Sequence, residues 1–358
     1  MNDAPAVSAG IPRPLVTGPS AWLGPDLAQR PGEWTYTLSA AEIAEIEAAT
    51  ATVRHLGMDI ADIRRPDFPL PTLGPVLDRL RDDVLNGRGF VLLRGLPVED
   101  RPIADSAAAY FGIGTYFGGA RSQNAKGHVL GHVRDLGLSS KDPNVRIYQT
   151  TERQNFHTDS CDIVSLLCLK TARSGGLSSL TSSMSVYNVM ARRHPDLVWR
   201  LFQPLPTDRR GEVPAGKLAW FHTPIYHDHA GYLSAIYAPH YVRSSQRFPE
   251  APRLTEQDHA ALDCFDRLAE DPALRLDMSF QPGDMQFVHN HTILHDRTAF
   301  EDWPEPERKR HLLRLWLAAP GARPLPPAYA ERYGSVEVGN RGGIICEGTR
   351  LHAPLEPV

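Results

Sequence analysis

His157, Thr158 and Asp159 stand together in this chain, and another candidate donor, His295, lies far downstream, followed by Arg310 and Arg314. Two imidazoles and one carboxylate can hold a divalent cation from one side and leave its other positions open. That is the donor set of the two-His-one-carboxylate facial triad, which suits non-haem Fe(II) and oxygen chemistry. In an extended segment residues i and i+2 share a face, so His157 and Asp159 can reach one ion while Thr158 points away. His-x-Asp alone is a weak signal. His128, His132, His222, His227, His229, His289 and His291 also compete for the third position. Placement favours His295, because Gly283 to His295 reads as a turn, a strand over Met285–Leu294, and then the imidazole. His289 and His291 share its parity and are read as polar positions on the outer side or behind the ligands. Cys161, Cys168, Cys264 and Cys346 show no C-x-x-C spacing, which disfavours a tetrahedral zinc site and suits reduced thiols.

The two arginines carry the next argument. From Arg310 to Leu317 the residues alternate, with Arg310, Leu312, Arg314 and Trp316 on one face and His311, Leu313, Leu315 and Leu317 on the other. Two guanidinium groups on one face of a buried strand are costly unless anions meet them. Their paired N–H donors match a carboxylate, either an interior Asp or Glu or a dicarboxylate co-substrate. Gly175-Gly176-Leu177-Ser178 reads as a tight turn that delivers a hydroxyl, Ser178, and is weak when taken alone.

Other elements must position these groups. Ser39 caps a helix over Ala40 to about Thr52, and a second helix runs from Leu73 to Asn86. Phe90 to Gly95 is a nearly continuous apolar run, the pattern of a strand covered on both faces. Asp105 to Gly112 is helical, and residues 113–147 form a long loop region with short strands. Gln123, Asn124, His128 and His132 on that loop are candidates for closing over substrate. Ile147–Thr150 and Ile163–Leu169 are strands. A helix spans Ser185–Phe202 with a break near Pro195, Asp208–Tyr241 holds short strands, and Thr255 opens a helix to about Glu270. Helices concentrated early and in one insert, with strands elsewhere, indicate an α+β double-sheet jelly roll (a double-stranded β-helix) buttressed by helices. The expected organisation is an arm over 1–38, one domain over 39–320 and a C-terminal extension over 321–358 packed on it.

A chain of 358 residues with 42% hydrophobic and 22% charged residues can bury a large core without disulfides. A net charge of −4 and the lack of a basic run argue against nucleic acid or an anionic membrane as partner. The N-terminus has no secretory pattern and no apolar run is long enough to span a bilayer, so a cytoplasmic location is expected. Oligomeric state is not legible, and a homo-oligomer is compatible with the sequence.

Taken together, Asn155-Phe156-His157-Thr158-Asp159-Ser160, the Gly175–Ser178 turn, Gly283-Asp284 leading to Asn290 and His295, Arg310-x-x-x-Arg314, and the early Gly89–Leu96 stretch resemble the taurine dioxygenase (TauD/TfdA) family of Fe(II)/2-oxoglutarate oxygenases. The resemblance covers roughly residues 70–320. It implies that His157, Asp159 and His295 bind Fe(II), that Arg310 holds the distal carboxylate of 2-oxoglutarate with help from Ser178, and that Arg314 lies near the co-substrate or an acidic group of the substrate. Phe156, Tyr148 and Arg297 are candidate pocket residues. The implied reaction uses O2 to oxidise a C–H bond of a small acidic or amino-acid-like molecule, with release of succinate and CO2. Asp159 occupies the place that iron halogenases of this type leave small for halide, which favours oxygen transfer. The stretch before His157 lacks the sulfonate-binding histidine context of the taurine enzyme, so the fold is inherited more firmly than taurine. Desaturation, epoxidation and ring formation use the same cofactor chemistry and stay open. A non-catalytic metal-binding jelly roll would keep the three ligands but give no reason for Arg310 and Arg314. A zinc hydrolase would need a general base and no 2-oxoglutarate.

Overall fold

The computed structural model describes residues 13–139, 145–346 and 348–357. Two facing sheets form its centre. The larger runs, in spatial order, Thr35–Thr37, Phe90–Arg94, Met285–His289, Ile163–Lys170, His311–Ala318 and Gly119–Ala120, with Gly131–Val133 also paired to His311–Ala318. The smaller runs Arg275–Met278, Ser178–Ser182, Ile293–Arg297 and Gln154–His157. Apart from the parallel pair formed by Thr35–Thr37 and Phe90–Arg94, the ladders of both sheets are antiparallel. The jelly roll expected from the sequence is the observed core.

Three apolar layers hold the sheets in place. Leu313, Leu315 and Leu317 face outward from the large sheet, with Val91, Leu93 and Phe287, onto the helices Ala40–His55, Leu73–Asn86 and Ile103–Gly114. Phe90, Leu92, Val164, Val288 and Trp316 face the other way, into the space between sheets, where Leu180 and Ile293 of the small sheet meet them. Phe156 and Leu294 of the small sheet are covered by Ser183–Arg193, Pro195–Arg200 and Glu256–Glu270. Each fully buried Leu or Phe contributes about 1.5–3 kcal/mol. Alternation along His311–Ala318 therefore sends Leu313, Leu315 and Leu317 to the helical layer and leaves Leu312, Arg314 and Trp316 inside the roll, as the sequence pattern requires.

Helix starts follow their caps. Ser39 and Thr255 each accept from the backbone N–H three residues on, and Glu42 and Asp258 return the bond as capping boxes. Gly283 adopts φ +88°, and a Cβ there would lie 2.0 Å from the Leu96 carbonyl oxygen. That close approach lets Asp284, fully buried, receive Nε and Nη2 of Arg94 at 2.9 and 2.8 Å. Gly283→Ala is expected to destabilise the fold by more than about 1 kcal/mol, since both the backbone angle and the space are wrong for a side chain. A shift of the urea midpoint measures it.

Two expectations need correction. Met285–Leu294 is not one strand. Met285–His289 belongs to the large sheet, residues 290–292 turn, and Ile293–Arg297 belongs to the small one. Parity between His289, His291 and His295 therefore has no structural meaning, and His289 and His291 are fully enclosed rather than outward. Ile147–Gln149 is a 3-10 turn, closed by the Thr150 hydroxyl donating to the Ile147 carbonyl at 2.9 Å, not a strand. The loop region expected at 113–147 does carry short strands, Gly119–Ala120 and Gly131–Val133; the Ile103–Gly114 helix covers its start, and residues 140–144 lie outside the described residues.

The segment after the roll packs against it. Arg341, with no exposed surface, donates from Nε to Oδ1 of Asp162, equally enclosed, at 2.8 Å, and its Nη2 lies 2.8 Å from the same oxygen. His291 Nε2 meets the same carboxylate oxygen at 2.9 Å, and the Ala319 N–H donates to the other oxygen at 3.1 Å. The four cysteines are unpaired.

A candidate Fe(II)/2-oxoglutarate site between the sheets

His157 ends the Gln154–His157 strand, and His295 pairs directly with it across the small sheet. Their ring centroids lie 4.2 Å apart. Asp159 follows on the strap that carries the chain from the small sheet to the large one, so its carboxylate enters from the side of that strand pair. Nε2 of His157 is 3.8 Å from Asp159 Oδ1, and Nε2 of His295 is 3.8 Å from Oδ2. The three ligand atoms lie within 4.8 Å of one another, the only such group of donors among the described residues. Thr158 points away, exchanging hydrogen bonds with the Tyr237 backbone.

The surroundings fit a divalent cation. The Asn155 carbonyl can only accept, so its 2.8 Å contact fixes the His157 proton on Nδ1 and leaves a lone pair on Nε2. The Gln154 amide donates to that lone pair at 3.0 Å. Burial, then the neighbouring His157, push the His295 pKa down to about 3, which keeps this imidazole neutral and able to ligate. Burial alone would raise the Asp159 carboxyl. Arg314, the two imidazoles and the Trp316 N–H outweigh it and hold the group below its ordinary range, hence ionised. Asp159 is also oriented: Trp316 Nε1 donates to Oδ2 at 2.8 Å, and Asn290 accepts from its backbone N–H at 2.9 Å. His295 Nδ1 is buried without a hydrogen-bond partner.

A narrow cleft leads from these donors between the sheets, lined by Ser178, Arg297, Arg310, Leu312 and Arg314 among others. Arg310 is 4% exposed, and its Nη1 has no partner. Among the described residues no carboxylate pairs with its guanidinium; Asp302 accepts only from its backbone N–H. That removes the interior ion pair as the reason for Arg310. Burial pushes its pKa down to about 10. Arg297, beside it, also has orphaned Nε and Nη1 atoms, and burial followed by repulsion from Arg310 pushes it down to about 9. Both guanidinium groups pack on Phe300. Two buried cations without an anion form a receptor for one, and a dicarboxylate supplies it. Gly176 makes this possible, because a Cβ there would stand 3.0 Å from Arg310 Nε. Ser178 lines the same cleft, with its hydroxyl donating to Gln286 at 3.2 Å.

Arg314 is placed differently. Its Nε donates to Gln123 at 2.7 Å, its Nη1 is 3.6 Å from Asp159 Oδ2, and it lies over Tyr148. It lines both the cleft and a larger cavity of about 520 Å³, together with Gln123, Asn124 and Tyr148. His128 and His132 are elsewhere: His128 packs on His352, and His132 bonds His311 and the Pro354 carbonyl. Phe156 is core packing. Arg297 donates from Nη2 to the Glu152 carbonyl but has no anionic partner among the described residues, a role whose available signal was its position two residues after His295 on the same strand.

Residues 52–316 match the family described as taurine catabolism dioxygenase TauD, TfdA family. The FR-33289 synthase of Streptomyces rubellomurinus (strain ATCC 31215) is 32% identical over 316 residues, which is 87% of this chain and 92% of that protein. The taurine hydroxylase-like protein SAT17 of Stachybotrys chartarum is 30% identical over 331 residues, 84% of this chain and 81% of that one. Among solved structures, an asparagine oxygenase in complex with Fe(II), 3-hydroxyasparagine and succinate has a TM-score of 0.63 at 17% identity, over 79% of this chain and 93% of that one. The non-haem iron oxygenase OrfP, in complex with iron and alpha-ketoglutaric acid, has a TM-score of 0.60 at 15% identity, over 79% and 93%. At these identities the two structures speak for the fold. By the extent of the family match and of the curated relatives, the chain belongs to the TauD/TfdA family of Fe(II)/2-oxoglutarate-dependent oxygenases.

Proposed function

We propose that this protein hydroxylates an unactivated C–H bond of a small acidic or amino-acid-like molecule, consuming O2 and 2-oxoglutarate and releasing succinate and CO2. One observation carries the reading: three neutral or anionic donors converge on one side of a cleft whose other side holds the orphaned guanidinium groups of Arg310 and Arg297. His157 and His295 would hold Fe(II) through Nε2 and Asp159 through its carboxylate. Arg310 would receive the distal carboxylate of 2-oxoglutarate, with Ser178 as a further hydrogen-bond group in the same cleft. Bound iron supplies the redox chemistry that couples 2-oxoglutarate decarboxylation to oxidation of the substrate. The remaining work belongs to the chain. Trp316 fixes the Asp159 carboxylate, Asn290 holds the Asp159 backbone N–H, Arg314 balances the carboxylate's charge, and the large cavity positions the reacting C–H bond and keeps water from it. The cavity's arginines favour an acidic substrate, and the asparagine and hydroxyarginine named in similar solved structures make an amino-acid-like one reasonable.

The test is anaerobic titration with Fe(II) and then 2-oxoglutarate, followed by succinate release in air against a panel of amino acids, carboxylates and sulfonates. Arg310→Ala is expected to raise the 2-oxoglutarate requirement about 100-fold, the loss of two charge-assisted hydrogen bonds, with Fe(II) affinity little changed. An unchanged requirement would move the anchor to Arg297.

A further inference from the structure

The large cavity is rich in arginine, but most of that charge is already answered. Arg153 is met by Asp296 and Glu270, Arg243 by Asp263 and Asp266, and Arg146 by Glu212. Two lining guanidinium groups differ. Arg314 has only Asp159, at 3.6 Å, and that carboxylate is committed to the donor cluster. Arg332 donates from Nε to a neutral acceptor, the Ser160 hydroxyl, at 2.6 Å, and lies over the Tyr241 ring. Among the described residues no carboxylate pairs with it. Ser160 is the neighbour of Asp159, so Arg332 is tethered one residue from the donor cluster and lines the large cavity, not the co-substrate cleft.

Arg332 comes from the short helix Ala330–Tyr333, beyond the stretch that matches the family. The chain around it is fixed to the Asp159–Asp162 strap. The Gly343 N–H donates to the Ser160 carbonyl at 2.7 Å, and Gly342, at φ +78°, has room for no Cβ, which would stand 2.7 Å from the same oxygen. The Ile344 N–H donates to the Ser122 carbonyl at 2.8 Å, and Ile344 lines the cavity beside Arg332. Arg341 locks the segment to Asp162 from behind. A side chain held this way has a defined position relative to the reacting centre, which is what substrate selection needs.

We propose that Arg332 is a specificity-determining residue, which forms with Arg314 a two-guanidinium seat for an oxyanion of the primary substrate (a carboxylate, sulfonate or phosphate). The inference rests on the Fe(II)/2-oxoglutarate reading of the site and names the part of the chain that selects the substrate.

The experiment uses full-length protein loaded anaerobically with Fe(II) and saturating 2-oxoglutarate, with sulfate and acetate as probes and tryptophan fluorescence as readout, since Trp316 lines the cavity. At least one probe is expected to bind saturably. Arg332→Gln, which keeps a donor for Ser160 but removes the charge, should weaken that probe about 10-fold or more and leave 2-oxoglutarate affinity unchanged. Arg332→Lys should recover part of the loss. Preference between the probes tells a tetrahedral oxyanion from a carboxylate. Equal probe affinity in Arg332→Gln, or no saturable binding of either probe to the wild type, overturns the proposal. Loss of Fe(II)-dependent 2-oxoglutarate binding in the wild type would instead sink the reading beneath it.

Discussion

Asp159→Ala will reduce substrate-coupled succinate release to background, a loss of at least about 1,000-fold, while the protein stays folded. The carboxylate is the only anionic donor of the three, and it also satisfies Trp316 Nε1 and faces Arg314. Without it two imidazoles face an unanswered guanidinium, and a divalent cation is repelled where it was attracted. Removing groups that merely orient metal ligands costs about 10–100-fold in metal affinity or activity, so removing a ligand that carries charge must cost more. The backbone bond from Asp159 to Asn290 survives truncation, which keeps the strap in place. Fe(II) affinity and succinate yield, read beside a circular dichroism spectrum, decide the matter; ordinary turnover in this variant would reject the ligand assignment.

Arg341→Met will destabilise the fold by about 3–5 kcal/mol, the cost of leaving a buried charge without its partner. Asp162 and Arg341 have no exposed surface, and the guanidinium also reaches the Arg323 and Val336 carbonyls. Asp162 would keep His291 and the Ala319 N–H, but neither is a permanent cation. Burial lowers the His291 pKa overall, so it is neutral near pH 7. The denaturant midpoint measures the loss. A change under about 1 kcal/mol would show that the segment after the roll contributes little to stability.

The features legible in the sequence were those with a local physical cause. Ser39 and Thr255 announce helices because a hydroxyl before a helical stretch can serve only its first N–H groups. His311–Ala318 shows its two faces because leucines and arginines cannot exchange sides without exposing one and stranding the other. Asn290–Thr292 was hidden for the opposite reason. Turns usually show as polar, solvated residues, yet here Asn290, His291 and Thr292 are all enclosed, and Asn290 and His291 spend their polar atoms on Asp159, Cys161 and Asp162. A turn whose buried polar side chains lean largely on distant partners leaves little local trace. Ile147–Gln149 misled through β-branched and aromatic side chains that prefer strands, a preference that context overrides. Arg332 and Arg341 had no signal at all, since neither lies in a periodic stretch and both take their meaning from residues more than 150 positions away.

Two of the chain's crossings between the layers meet at one seam, the strap bearing Asp159 and the Asn290 turn. Both imidazoles belong to one layer and the carboxylate to the crossing. An ion gripped by all three would act as a rivet through the sandwich, and the reactive centre would share its rigidity with the join that holds the two leaves shut.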